Sequence, residues 1–136
     1  MNRLILHFAI TAILARAASA QSACRPADAG LDERVRLTRR LVTSSDAGDI
    51  AARRHQKLPA VADTSVQPVS VDSICAAARD TYNAVLPAAD QRAGRSVYVI
   101  RVGDRFVVED PTVKIGEFGL MMVLDQSFVV LSKSTR

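Results

Sequence analysis

The chain has 136 residues, 49% of them hydrophobic and 4% aromatic, with 18 Lys and Arg against 14 Asp and Glu, a net charge of +4. That length fits a single domain. So small an excess is no evidence for a nucleic-acid partner, which wants clustered excess charge, and the six glycines form no phosphate-binding loop.

Residues 1–20 have the three parts of an export signal. Met1-Asn2-Arg3 carries one positive charge, an apolar run from Leu4 to Leu14 follows, and Ala18-Ser19-Ala20 offers small side chains for cleavage before Gln21. The run is shorter than the roughly 20 apolar residues that cross a bilayer, and Arg16 ends it early, against the alternative of an uncut anchor. Cleavage leaves no membrane span and places the protein outside the cytoplasm, periplasmic or secreted, in a bacterial cell. Arg3 and Arg16 leave with the signal and no acid does, so sixteen basic residues face fourteen acidic ones and the excess falls from +4 to +2.

Two cysteines remain, Cys24 and Cys75, the minimum for a disulfide in an oxidising compartment. A bridge between them closes a loop worth about 4 kcal/mol on the chain-entropy model. Two alternatives stand beside it. Ser22-Ala23-Cys24 has the small residues of a lipoprotein cleavage site, which makes Cys24 a lipid anchor, although Gln21 stands where such signals carry an aliphatic residue. Both thiols unpaired is the third.

Residues 21–30 read as a tether, and 31–136 as one domain. Leu31, Val35, Leu41 and Val42 make a helical stripe over residues 31–43, with Asp32 and Glu33 in the first turn and Arg39 and Arg40 in the last. Asp46 starts a shorter helix to Lys57, which Leu58-Pro59 stops. Residues 59–71 have Val66, Val69 and Val71 at extended spacing, but Pro68 restricts the segment to a sheet edge. Asp72 is placed to cap a helix over 73–86, whose buried side carries Ile74, Ala78, Tyr82 and Val85.

From Ser96 the period becomes that of strands. Residues 96–102 and 105–110 form a hairpin around Gly103-Asp104, residues 111–119 a loop, and residues 120–124 and 127–132 a second hairpin turning at Asp125-Gln126. The expected fold is α+β, two or three helices on a four-stranded antiparallel meander. Alternation puts Tyr98, Ile100, Val102 and Val107 on one face, and Val97, Val99, Phe106 and Val108 on the other. In the second hairpin Leu120, Met122, Leu124, Val129 and Leu131 share one side, and Met121, Val123, Phe128 and Val130 the other. Both faces are apolar, so both need cover. Helix 73–86 serves one face. The earlier helices, a second copy or an unknown protein partner serves the other.

Chemistry-bearing patterns are sparse. Once His7 leaves, His55 is the one histidine, and no HxxxH or CxxC spacing offers a metal site. No serine lies in GxSxG, and no cofactor motif occurs. Glu109, Asp110, Glu117 and Asp125 fall near strand ends, where two of them could form an acid/base pair or hold calcium. Arg36, Arg39, Arg40, Arg53 and Arg54 are the one charge concentration, suited to an anionic lipid or acidic partner or to plain solvation.

Ile74-Cys75-Ala76-Ala77-Ala78 through Tyr82 and on to Val97-Tyr98-Val99-Ile100 resembles exported bacterial domains of the PepSY type. Met121-Met122-Val123-Leu124-Asp125-Gln126-Ser127-Phe128-Val129-Val130-Leu131 is similar to their closing hairpin, and Val102 to Pro111 resembles small exported bacterial proteins of unknown function. The resemblance spans residues 73–132 and implies a non-enzymatic binding or inhibitory domain, with no functional residue carried over. The function expected is an exported, non-catalytic binding module, possible roles being inhibition or envelope support. A small hydrolase using the sheet-edge carboxylates and a lipid-anchored lipoprotein are the alternatives.

Overall fold

The computed structural model describes residues 22–43, 48, 61–115 and 118–135. Helix α1 (Ala29–Thr43) leads to strand β1 (Val66–Pro68), helix α2 (Asp72–Val85) and a 3-10 turn (Ala88–Asp90). Strands β2 (Tyr98–Val102), β3 (Arg105–Ile115), β4 (Phe118–Leu124) and β5 (Val130–Thr135) complete an antiparallel sheet in chain order. The class is α+β, with five strands rather than four. The extra one is the expected sheet-edge segment around Pro68. The second helix expected over residues 46–57, and His55 within it, lie outside the described residues.

Strict alternation in β2 and β3 divides the core into two layers. Val97, Val99, Phe106, Val108, Met122 and Leu124 face α2, which brings Cys75, Ala78, Tyr82 and Leu86 to them. Cys75, Ala78 and Tyr82 are spaced to share one side of that helix and are fully buried. Tyr98, Ile100, Val102, Val107, Met121 and Val123 form the opposite layer, where Leu31 of α1 is buried with half-buried Val35, Val42 and Val61 packed alongside. Burying each such side chain contributes roughly 1.5–3 kcal/mol. Helices thus lie on both faces of the sheet, as its two apolar faces require.

Asp28 is what anchors α1. Its Oδ1 accepts the Leu31 amide at 2.9 Å, an N-terminal cap, and the Tyr98 hydroxyl donates to both its oxygens, at 2.6 and 2.8 Å. Gly30 permits this approach, because a Cβ there would stand 2.8 Å from the Tyr98 hydroxyl. Asp72 plays no such part, contrary to expectation. Val71 occupies the cap position of α2 without a side-chain bond, and Asp72 sits in the first turn, where its carboxylate accepts Ser22 Oγ at 3.3 Å.

Within the expected tether, residues 22–30 are packed onto the domain. The Arg25 amide donates to the Val97 carbonyl and the Val97 amide to the Ala23 carbonyl, both at 2.8 Å, a parallel bridge along the edge of β2. A disulfide joins Cys24 to Cys75 with Cα atoms 5.1 Å apart and pins this segment to α2. Both sulfurs belong to the core layer under that helix.

The first hairpin turns at Gly103-Asp104, with Gly103 at φ 56 as a tight turn demands. The second departs from expectation. Asp125 accepts the Ser127 and Val129 amides on its carboxylate, and Phe128 takes a left-handed φ of 62. Stacking of Phe128 on Phe106, centroids 5.4 Å apart, offsets that strain. The longer turn and a register shift pair Val130 with Leu124, on the α2 side, and leave Val129 and Leu131 exposed. Residues 111–115 are strand rather than loop. Pro111, which has no amide, falls in the irregularity between Glu109 and Lys114.

At the outer edge Ser65 and Val69 bond toward β2, which turns the backbone groups of Val66 and Pro68 away from it, while the Val66 side chain is buried in the α1-side layer. Arg39 takes the Val66 carbonyl at 3.2 Å and Pro68 has no amide to offer. That edge is blunted.

Candidate anion-binding groove

Glu109 and Asp110 are neighbours on β3, so their side chains leave opposite faces of the sheet. Glu109, on the α1 side, forms an ion pair with Arg34. Asp110, on the α2 side, meets Arg95 at 2.5 Å, both side chains 3% exposed. The remaining oxygen of Asp110 accepts the amide and hydroxyl of Thr112 at 2.8 and 2.7 Å, which closes the irregular stretch around Pro111. The two carboxylates therefore do not converge on a common substrate, and each is already neutralised by an arginine. Asp125 is spent on its turn, and the Glu117 side chain lies outside the described residues. Among the described residues no group of three His, Cys, Asp or Glu side chains could hold a metal ion.

Each core layer also holds a buried tyrosine. Tyr98 lies between the guanidiniums of Arg25 and Arg34, at 5.2 and 5.5 Å from its ring. Burial, then the bond to Asp28, pushes the Tyr98 phenol up, and the same hydroxyl, ahead of the Leu31 amide, holds the Asp28 carboxyl below its ordinary value. Tyr82 donates to the Leu120 carbonyl at 2.9 Å and has Arg95 6.0 Å from its ring. Burial is the main reason its phenol also rises.

A groove opens beside the Arg95–Asp110 pair. Its central cavity, about 400 Å³, is lined by Arg25, Arg92, Gly94, Arg95, Ser96, Asp110 and Thr112. A smaller recess of about 200 Å³ continues past Asp90, Arg92, Arg95, Thr112 and Val113. The central lining holds three arginines against one carboxylate. The loop carrying two of them is fixed: the Arg95 amide bonds to the Arg92 carbonyl at 3.2 Å, and Asn83 of α2 accepts the Arg92 amide and Arg95 Nε. Arg95 also donates to the Asp90 carbonyl. Arg95 is thus committed to the protein, whereas Arg92 is exposed and its guanidinium has no partner among the described residues, nor does the Ser96 hydroxyl. A rigid loop presents unengaged donors to a cavity whose one acid is saturated, an arrangement suited to an oxyanion.

Of the five arginines expected to concentrate charge, three lie among the described residues, all on α1. Arg36 is paired with Glu33 at 2.6 Å, Arg39 reaches β1, Arg40 is exposed on α1 and engaged, and Arg53 and Arg54 lie outside the described residues. Arg92, Arg95 and Ser96 were not expected as site residues. Their one sequence signal is a pair of arginines flanking Ala93-Gly94 between a helix and a strand. Among the described residues no helix is long and apolar enough to cross a membrane. Compared with known proteins, the chain matches no family model, no curated protein and no solved structure.

Proposed function

We propose that this protein is an exported, non-catalytic binding module that holds an oxyanion, carboxylate or phosphate, in the groove beside Arg92 and Ser96. The observation that carries this reading is the contrast between the two arginines of one loop: Arg95 is buried on Asp110, and Arg92 is held out with its donors free. Divergence of Glu109 and Asp110 to opposite faces favours binding over the hydrolase alternative, which needs two carboxylates around one bond. The Cys24–Cys75 bridge supports an oxidising compartment and leaves Cys24 no thiol to acylate, against the lipid anchor. The likeness of residues 73–132 to PepSY-type domains agrees with a binding role.

Anion-dependent stability tests the proposal. A bound anion at ten times its dissociation constant stabilises the native state by about 1.4 kcal/mol. Melting in sulfate is compared with melting in chloride at matched ionic strength, for the native protein and for Arg92→Ala. The expected result is a larger sulfate-induced rise in Tm for the native protein. An equal rise in Arg92→Ala, which reports general exclusion of sulfate from the surface, overturns the reading.

A further inference from the structure

We propose that the groove receives the C-terminal end of a peptide, an inference that rests on the oxyanion reading and names its ligand. A second cavity, about 480 Å³, adjoins the cationic one and shares Arg25 and Ser96 with it. Beyond the shared Arg25 and Ser96 its walls are of another kind: Cys24, Pro26 and Ala27 with Ser22 and Ser70, and no acidic residue. The groove therefore has an apolar half and a cationic half that meet at Ser96. A ligand matching both carries an apolar group next to its oxyanion.

The backbone at Cys24 points to a peptide rather than an acyl chain. The Ala23 carbonyl and Arg25 amide both bond to Val97. In extended backbone that alternation turns the Cys24 amide and carbonyl away from the sheet, and neither has a partner among the described residues. An added extended segment can satisfy both groups, whereas an acyl chain leaves them unmatched. The last side chain of such a peptide lies against Pro26 and Ala27, and its terminal carboxylate reaches Arg92 and Ser96. The disulfide holds Cys24 in place, so this edge is formed before any ligand arrives.

The test uses the full oxidised protein and four probes followed by amide NMR shifts: the N-acetylated tripeptide Ala-Val-Leu with a free carboxylate, the same tripeptide amidated, decanoate, and inorganic phosphate. The proposal predicts that the free-acid tripeptide moves the amides of Cys24, Ala27 and Gly94 together and binds at least about tenfold tighter than its amide. Arg92→Ala, an exposed substitution whose fold is checked by its unchanged spectrum elsewhere, removes that preference. Equal binding of acid and amide, or decanoate moving Ala27 and Gly94 at lower concentration than the peptide, overturns the peptide assignment. Phosphate shifts at Gly94 and Ser96 without any gain from the tripeptide overturn it too, yet leave the oxyanion reading standing. If phosphate also moves neither amide, both fall.

Discussion

Glu109 and Asp110 are adjacent in the chain, yet one neutralises Arg34 above the sheet and the other Arg95 below it. Two carboxylates that read as a candidate acid/base pair are thereby made into two separate clasps, one for each helical layer. The clasp under α2 also holds the loop that carries Arg92, so packing and the proposed binding site share one ion pair.

The two clasps differ in burial, and that difference is measurable. Arg95→Ala leaves Asp110 charged in a site where both side chains are 3% exposed, and the expected loss is on the order of 3–5 kcal/mol. Arg34 keeps 19% of its side-chain surface and Glu109 7%, so Arg34→Ala should cost less, about 1–3 kcal/mol. Urea unfolding midpoints of the two variants check the order. Equal losses contradict it.

Removing the bridge should cost the oxidised protein about 4 kcal/mol, because the cysteines are 51 residues apart in sequence. The double variant Cys24→Ala, Cys75→Ala is compared with the native protein by denaturant unfolding. The Arg25 amide should also lose protection from hydrogen exchange, since its bond to Val97 depends on a segment the bridge holds down. A variant as stable as the parent, with that protection intact, contradicts this role.

The chain has two tyrosines, and both phenols are raised in the folded state. The native protein then holds these protons more tightly than the unfolded chain does. The stability they contribute is full below the ordinary tyrosine value of about 10 and is lost as pH rises beyond it toward the folded values. Asp28 has the opposite sign. Its lowered carboxyl contributes stability above the ordinary value of 3.8, lost as pH falls through the folded one. Tyrosinate absorbance should stay absent at pH values where free tyrosine ionises. In acid, exchange of the Leu31 amide should accelerate as the Asp28 cap protonates. Tyrosinate appearing at the ordinary value in the folded protein contradicts the first half.

Processing is checked by intact mass. Protein isolated from its native cells should begin at Gln21 and be two hydrogens lighter than the reduced chain. A chain that starts at Met1 with both thiols free contradicts export, and an added acyl mass on Cys24 contradicts the disulfide.

The layered core could be read from the sequence where alternation was strict and a turn signal was strong. Val97 to Val108, folded around Gly103-Asp104, put every apolar side chain on the face expected. The second hairpin did not yield to the same reading, because its turn rests on Asp125 accepting two amides and on Phe128 in a left-handed conformation that glycine usually supplies. Ala23 to Arg25 were missed for a different reason. The bridge from Cys24 to Cys75 was expected, but the alignment of this short segment beside Val97 carries no periodicity. The groove was least legible, since its donors are distributed over the end of a helix, a loop and an irregular strand. What separates Arg92 from Arg95 is the buried Asp110, fifteen residues beyond the latter.

The most direct measurement is a titration of the oxidised protein with inorganic phosphate, read at every backbone amide. The account predicts saturable shifts at Gly94 and Ser96 that vanish in Arg92→Ala and persist in Arg36→Ala, whose guanidinium is paired with Glu33 on the exposed side of α1. Shifts centred on Arg36 to Arg40 instead, or a Gly94 and Ser96 response unchanged in Arg92→Ala, contradict it.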